Sequence, residues 1–114
     1  MAPVIYDIKY YKGDSYSLLV WPKTLAATPF DLTGFSATFD IADKRGSAAT
    51  QKWRLIPVVS VSENNVLCTI TPTLGAQLDP LVTYVYDITV SNGTGAVHTF
   101  VTGTVTVADS VEGV

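Results

Sequence analysis

The chain has 114 residues, 47% of them hydrophobic and 15% charged, with a formal net charge of −3. That length suits one domain with a single core, and the charged fraction, below the ~25% of an ordinary soluble protein, argues against a disordered chain. Apolar runs are only a few residues long, where a spanning helix needs about 20, and Met1 to Asp7 lacks the basic and apolar regions of a secretion signal.

Valine and threonine, both β-branched, dominate the chain and favour strands. The first alternating run is Ile5 to Tyr10, followed by a turn at Lys12-Gly13-Asp14 and a second run from Ser15 to Trp21. In that second run Tyr16, Leu18 and Val20 share one face, with Ser17, Leu19 and Trp21 on the other. Phe35, Ala37, Phe39 and Ile41 alternate with polar residues, the period-two signature of a half-buried strand. Lys52 to Val61 reads as one strand bent near Pro57, because proline cannot donate to a central ladder. Asn64-Asn65 then turns the chain into a strand over Val66 to Thr71.

Thr73 to Asp79 is the one stretch with helical spacing, bounded by Pro72 and Pro80. Tyr84, Tyr86, Ile88 and Val90 alternate with Val85, Asp87 and Thr89. The Asn92-Gly93 pair signals a hairpin, because both residues tolerate positive φ. On the returning strand, Val97, Val101, Gly103, Val105 and Val107 are expected on one face, with His98, Phe100 and three threonines on the other. About seven strands with one short helical turn predict an all-β fold, an immunoglobulin-like β-sandwich, with a small barrel as the rival. A single domain over 1–108 and a flexible C-terminal tail over 109–114 complete the organisation.

Catalytic and ligand-binding patterns are sparse. The single cysteine, Cys68, lies on an alternating apolar face and reads as a small buried hydrophobe. The single histidine, His98, sits mid-strand among threonines, away from any serine elbow. One His and one Cys do not make a zinc site, and neither a calcium loop nor a phosphate-binding glycine loop occurs. Asp40 and Asp43 are the nearest carboxylates to an acid–base pair, but they read as a strand end and a turn. No catalytic residue, cofactor or metal is therefore expected.

All seven basic residues fall by Arg54, where they face five acidic ones, a balance of +2; beyond it stand five acidic residues alone. Such an asymmetry would help copies dock head to tail, unless strands from the two halves interleave and mix the charges. Dispersed lysines and a net negative charge argue against a nucleic-acid partner, as the lack of a spanning segment does against a membrane. The aromatic residues Tyr6, Tyr10, Tyr11, Tyr16, Trp21 and Trp53 are candidates for a sugar-stacking face or for partner contact. Trp53, with Arg54 beside it, is the leading candidate interface residue, and Trp21 before Pro22 the next.

The order of motifs adds a family. Tyr11-Lys12-Gly13-Asp14-Ser15 is followed by Pro29-Phe30-Asp31-Leu32-Thr33-Gly34, then Tyr84-Val85-Tyr86-Asp87-Ile88, and a closing Gly103-Thr104-Val105-Thr106-Val107. This pattern, over roughly Ile5 to Val107, resembles a family of small immunoglobulin-like domains found in virion proteins of tailed bacteriophages, notably tail and baseplate proteins. The resemblance implies a non-enzymatic structural protein of the virion, assembled in the host cytoplasm as a symmetric homo-oligomer and docked on other virion proteins. A capsid decoration protein is the alternative within that class. A carbohydrate-binding module for host-surface glycan is the alternative outside it. In the motifs themselves, Pro29 and Gly34 frame a turn that carries Leu32 and Phe35 toward the core, and Asp87 is expected to accept a hydrogen bond from a neighbouring strand or turn.

Overall fold

The computed structural model describes residues 3–23 and 30–108. Among these residues, nine strands build two sheets: β1 (Val4–Ile5), β2 (Ile8–Tyr11), β3 (Tyr16–Val20), β4 (Phe35–Ala42), β5 (Lys52–Leu55), β6 (Val58–Ser60), β7 (Asn65–Ile70), β8 (Thr83–Asn92) and β9 (Val97–Ala108). The larger sheet runs β1–β9–β8–β4–β5 with β2 also on β9, and the smaller runs β3–β7–β6. Between them lies one apolar core, to which β4, β8 and β9 contribute Phe39, Ile41, Tyr86, Ile88 and Val105, and β7 contributes Val66, Cys68 and Ile70. The chain is thus the all-β sandwich expected. In immunoglobulin lettering, β3, β7 and β6 take the places of B, E and D, and β4, β8 and β9 those of C, F and G.

The helical segment is a single turn, α1 (Pro72–Gly75), with Pro72 inside it and Thr71 as its N-cap, whose hydroxyl accepts from Leu74 N at 3.2 Å. Leu74 and Leu78, four apart, are both buried beneath it. Just beyond, the Asp79 N–H donates to the hydroxyl of buried Tyr84 at 2.8 Å, a tyrosine corner at the start of β8. Tyr84→Phe leaves that N–H without its acceptor. We expect a loss of about 1–2 kcal/mol, read as a lower urea midpoint at unchanged m.

Three expectations about strands are corrected. Lys52 to Val61 is not one bent strand, for β5 pairs with β4 in the large sheet and β6 with β7 in the small one. Buried Pro57 marks the crossing, where a residue without an N–H breaks the ladder. Ile5 to Tyr10 is likewise two strands, both parallel to β9, with pairing interrupted at Tyr6 and Asp7. The turn after them carries the chain from the large sheet to β3 in the small one.

The third correction concerns faces. Thr89 pairs with Thr99 but Ile88 with Val101, so Phe100 is an extra residue, a β-bulge. A one-residue insertion reverses inside and outside along the strand. Val97 is therefore 62% exposed, while Phe100 and Val101 are both buried. His98, opposite inward-facing Val90, packs edge-on against Phe30, with ring centroids 5.3 Å apart. The hairpin before β9 also turns otherwise than expected. Asn92 keeps negative φ and its Oδ1 accepts from Thr94 N and Ala96 N, both at 3.1 Å, and Gly95 supplies the positive φ.

Leu32 is buried and Phe35 half-buried, as the turn motif implied, whereas Pro29 and the tail at 109–114 lie outside the described residues.

Candidate functional site

The outer faces of the two sheets differ in chemistry. On the large sheet, β4 and β8 place Asp40 directly opposite Asp87, a like-charge pair that would repel across the strands. Each carboxylate is met by an arginine. Arg54 on β5 donates from Nε to Asp40 Oδ1 at 2.8 Å and from Nη2 to Oδ2 at 3.2 Å. Arg45 donates from Nη1 to Asp87 Oδ1 at 3.0 Å and from Nη2 to Thr102 Oγ1 at 2.6 Å, and Thr102 in turn donates to Asp87 Oδ1. Asp87 thus accepts from a neighbouring strand and a turn, as expected. The charges of the two halves of the chain do mix here, since Arg45 and Asp87 come from opposite sides of Arg54 in sequence. A shallow groove beside this ladder is lined by Lys44, Arg45 and Lys52, with Asp40 and Asp87 in its wall.

Arg45 is held by the loop between β4 and β5, which Asp43 organises. Asp43 Oδ1 accepts from Thr50 N at 2.9 Å and Gln51 N at 3.1 Å, and Oδ2 accepts from the Thr50 hydroxyl. The Thr50 hydroxyl first, and the backbone N–H groups with it, hold the Asp43 carboxyl down at about 2. A carboxyl depressed by folding stabilises the fold above its unfolded value, near 4, and that contribution is lost as pH falls through its folded value. Acid titration of stability is therefore expected to show a loss between about pH 4 and pH 2 that Asp43→Ala makes shallower.

The outer face of the small sheet carries no charge. None of the residues of β3, β6 or β7 carries a charge, and the two ionisable ones, Tyr16 and Cys68, pack on the core side, where desolvation pushes the Cys68 thiol up to about 12. Leu19 pairs with Leu67, and Leu67 with Val58, so three aliphatic side chains form one row across the sheet. Val58 is 66% exposed, and Leu19 and Leu67 are also open. Trp21, just past β3 on the same side as Leu19, is 52% exposed. Beside the row, the Ser17 and Thr69 hydroxyls are 3.3 Å apart.

The residues singled out from sequence do not come together. Trp53 points inward and is half-buried, its ring edge-on to Tyr84 with centroids 5.7 Å apart and its Nε1 donating to Gln77 Oε1 at 3.4 Å. Arg54, next in the strand, points outward to Asp40. Trp21 belongs to the other sheet. Of the aromatics weighed for sugar stacking, Tyr10 is buried and its hydroxyl donates to Asp14 O at 2.7 Å, so it is part of the core. Tyr6 and Tyr11 are about half exposed along the large sheet, far in topology from Trp21.

Sequence reasoning missed the Leu19–Leu67–Val58 row. Its signal was present, because these three runs are free of charge, but their pairing becomes visible only in the fold. No family model matches the chain, and no curated protein matches it.

Proposed function

We propose that this chain is a non-enzymatic structural protein of a tailed-phage virion, a minor tail or baseplate component that works through protein–protein contact. The observation that carries the reading is the uncharged outer face of β3–β7–β6, with Leu19, Leu67, Val58 and Trp21 in the open. Interface centres are depleted in charge and enriched in aromatic residues, because an unpaired charge is costly to desolvate. The motif order from Gly13 to Val107 supports the virion setting. A capsid decoration protein is the neighbouring reading, and it uses the same kind of surface.

Quantitative mass spectrometry of purified particles tests both. A low copy number, that of a ring at the tail, is expected. Stoichiometry matching the shell protein moves the chain to the capsid. Absence from particles overturns the virion reading altogether.

A further inference from the structure

We infer that the uncharged face of the small sheet pairs with the same face of a second copy of this chain, across a two-fold axis passing near Leu67. This rests on the reading above that the chain acts through protein contact, and it names the surface and its partner. Leu67 lies on the middle strand, with Leu19 on one side and Val58 on the other, so the row is centred on it. A two-fold axis at the centre of a row sets each Leu67 against its counterpart and each flanking side chain against an aliphatic neighbour. Stacked sheets stand about 10 Å apart, which side chains of this size fill from both sides.

Charge favours a copy over a dissimilar partner. The outer face of the large sheet presents Asp40, Arg54, Arg45 and Asp87, which already satisfy one another. The small-sheet strands offer no charged residue for a charged partner to meet, whereas a second copy brings an equally uncharged surface. Area agrees. Trp21, Val58, Leu19 and Leu67 together leave roughly 400 Å² open, within the range of the largest patches on single chains. With the serine and threonine rim, two such faces bury about 1,000 Å² in total, the lower limit for a specific interface. A reversible dimer, on the order of micromolar or weaker, follows.

Sedimentation equilibrium of the full chain up to about 0.5 mM reads the monomer–dimer balance. The wild-type chain is expected to double in mass reversibly. Leu67→Lys places a lysine from each copy at the axis and is expected to weaken pairing by at least about tenfold. Thr38→Lys, on the outer face of the large sheet, is expected to leave it unchanged. Circular dichroism establishes that each variant is folded, and Leu67→Thr, which suits a strand, gives the same reading if the lysine variant does not fold. A chain monomeric over the whole range overturns the pairing, as does a dimer that both Leu67 variants leave equally tight. A monomer nonetheless present in purified particles removes the two-fold pairing and keeps the virion role. A dimer absent from particles does the reverse.

Discussion

Gly103→Ala is expected to destabilise the fold by about 3–5 kcal/mol. Gly103 is buried on β9, where the N-terminal strand interrupts its pairing. A Cβ there would lie 2.2 Å from the carbonyl oxygen of Tyr6 and 2.8 Å from its carbon. Both are backbone atoms, so no side chain can swing aside. That same carbonyl accepts the hydroxyl of buried Tyr86, and the Tyr6 N–H is bonded to Thr102 O at 2.9 Å. Displacing the segment therefore adds an unpartnered buried hydroxyl to the steric cost. In a domain of this size the melting temperature should fall by about 12–20 °C. Gly93→Ala is the control: a Cβ there meets nothing within 4 Å and its φ is ordinary, so stability should hardly move. Equal effects at the two positions would contradict the packing described.

Phe39→Ala is the second large effect, about 3–5 kcal/mol. The ring is fully buried on β4 and stands edge-on to Tyr86, with centroids 5.6 Å apart. Its cross-strand partners are Ile88 on one side and Leu55 on the other, so truncation opens a cavity in the middle of the large sheet. Chemical denaturation at low protein concentration reads the loss. Leu67→Ala, measured alongside, should change stability by no more than about 0.5 kcal/mol, because Leu67 points away from the core. The contrast separates residues that hold the fold from those that face a partner. A loss at Leu67 as large as at Phe39 would place Leu67 among the residues that hold the fold.

Much of the fold was legible where alternation is long and uninterrupted. The alternation over Phe35 to Ile41 and over Tyr84 to Val90 marks two strands, and their inward residues lie in or against the core. Sheet membership was not legible, because nothing near Pro57 says whether the chain bends within a sheet or leaves it. The bulge at Phe100 was hidden for a related reason. Its mark is two adjacent apolar residues, Phe100 and Val101, and an unbroken period of two hides which of them is extra.

The surface was less legible than the core. Trp53 stood out by its charged neighbours, yet strand period already puts Trp53 and Arg54 on opposite faces, and the fold turns the tryptophan inward against Tyr84. Leu19, Val58 and Leu67 looked unremarkable in isolation. They become a surface because Leu67 pairs with nearby Val58 on one side and with Leu19, distant along the chain, on the other, and that second pairing is not encoded in local sequence.

Hydroxyl-radical footprinting of the free chain at low concentration and of the chain within purified particles tests most directly that the uncharged face is where this protein meets its partners. Leu19, Trp21, Val58 and Leu67 are expected to lose labelling on assembly, while Val85 and Val97, on the outer face of the large sheet, keep theirs. Protection confined to the large sheet, with Leu67 and Trp21 labelled as in the free chain, would contradict it.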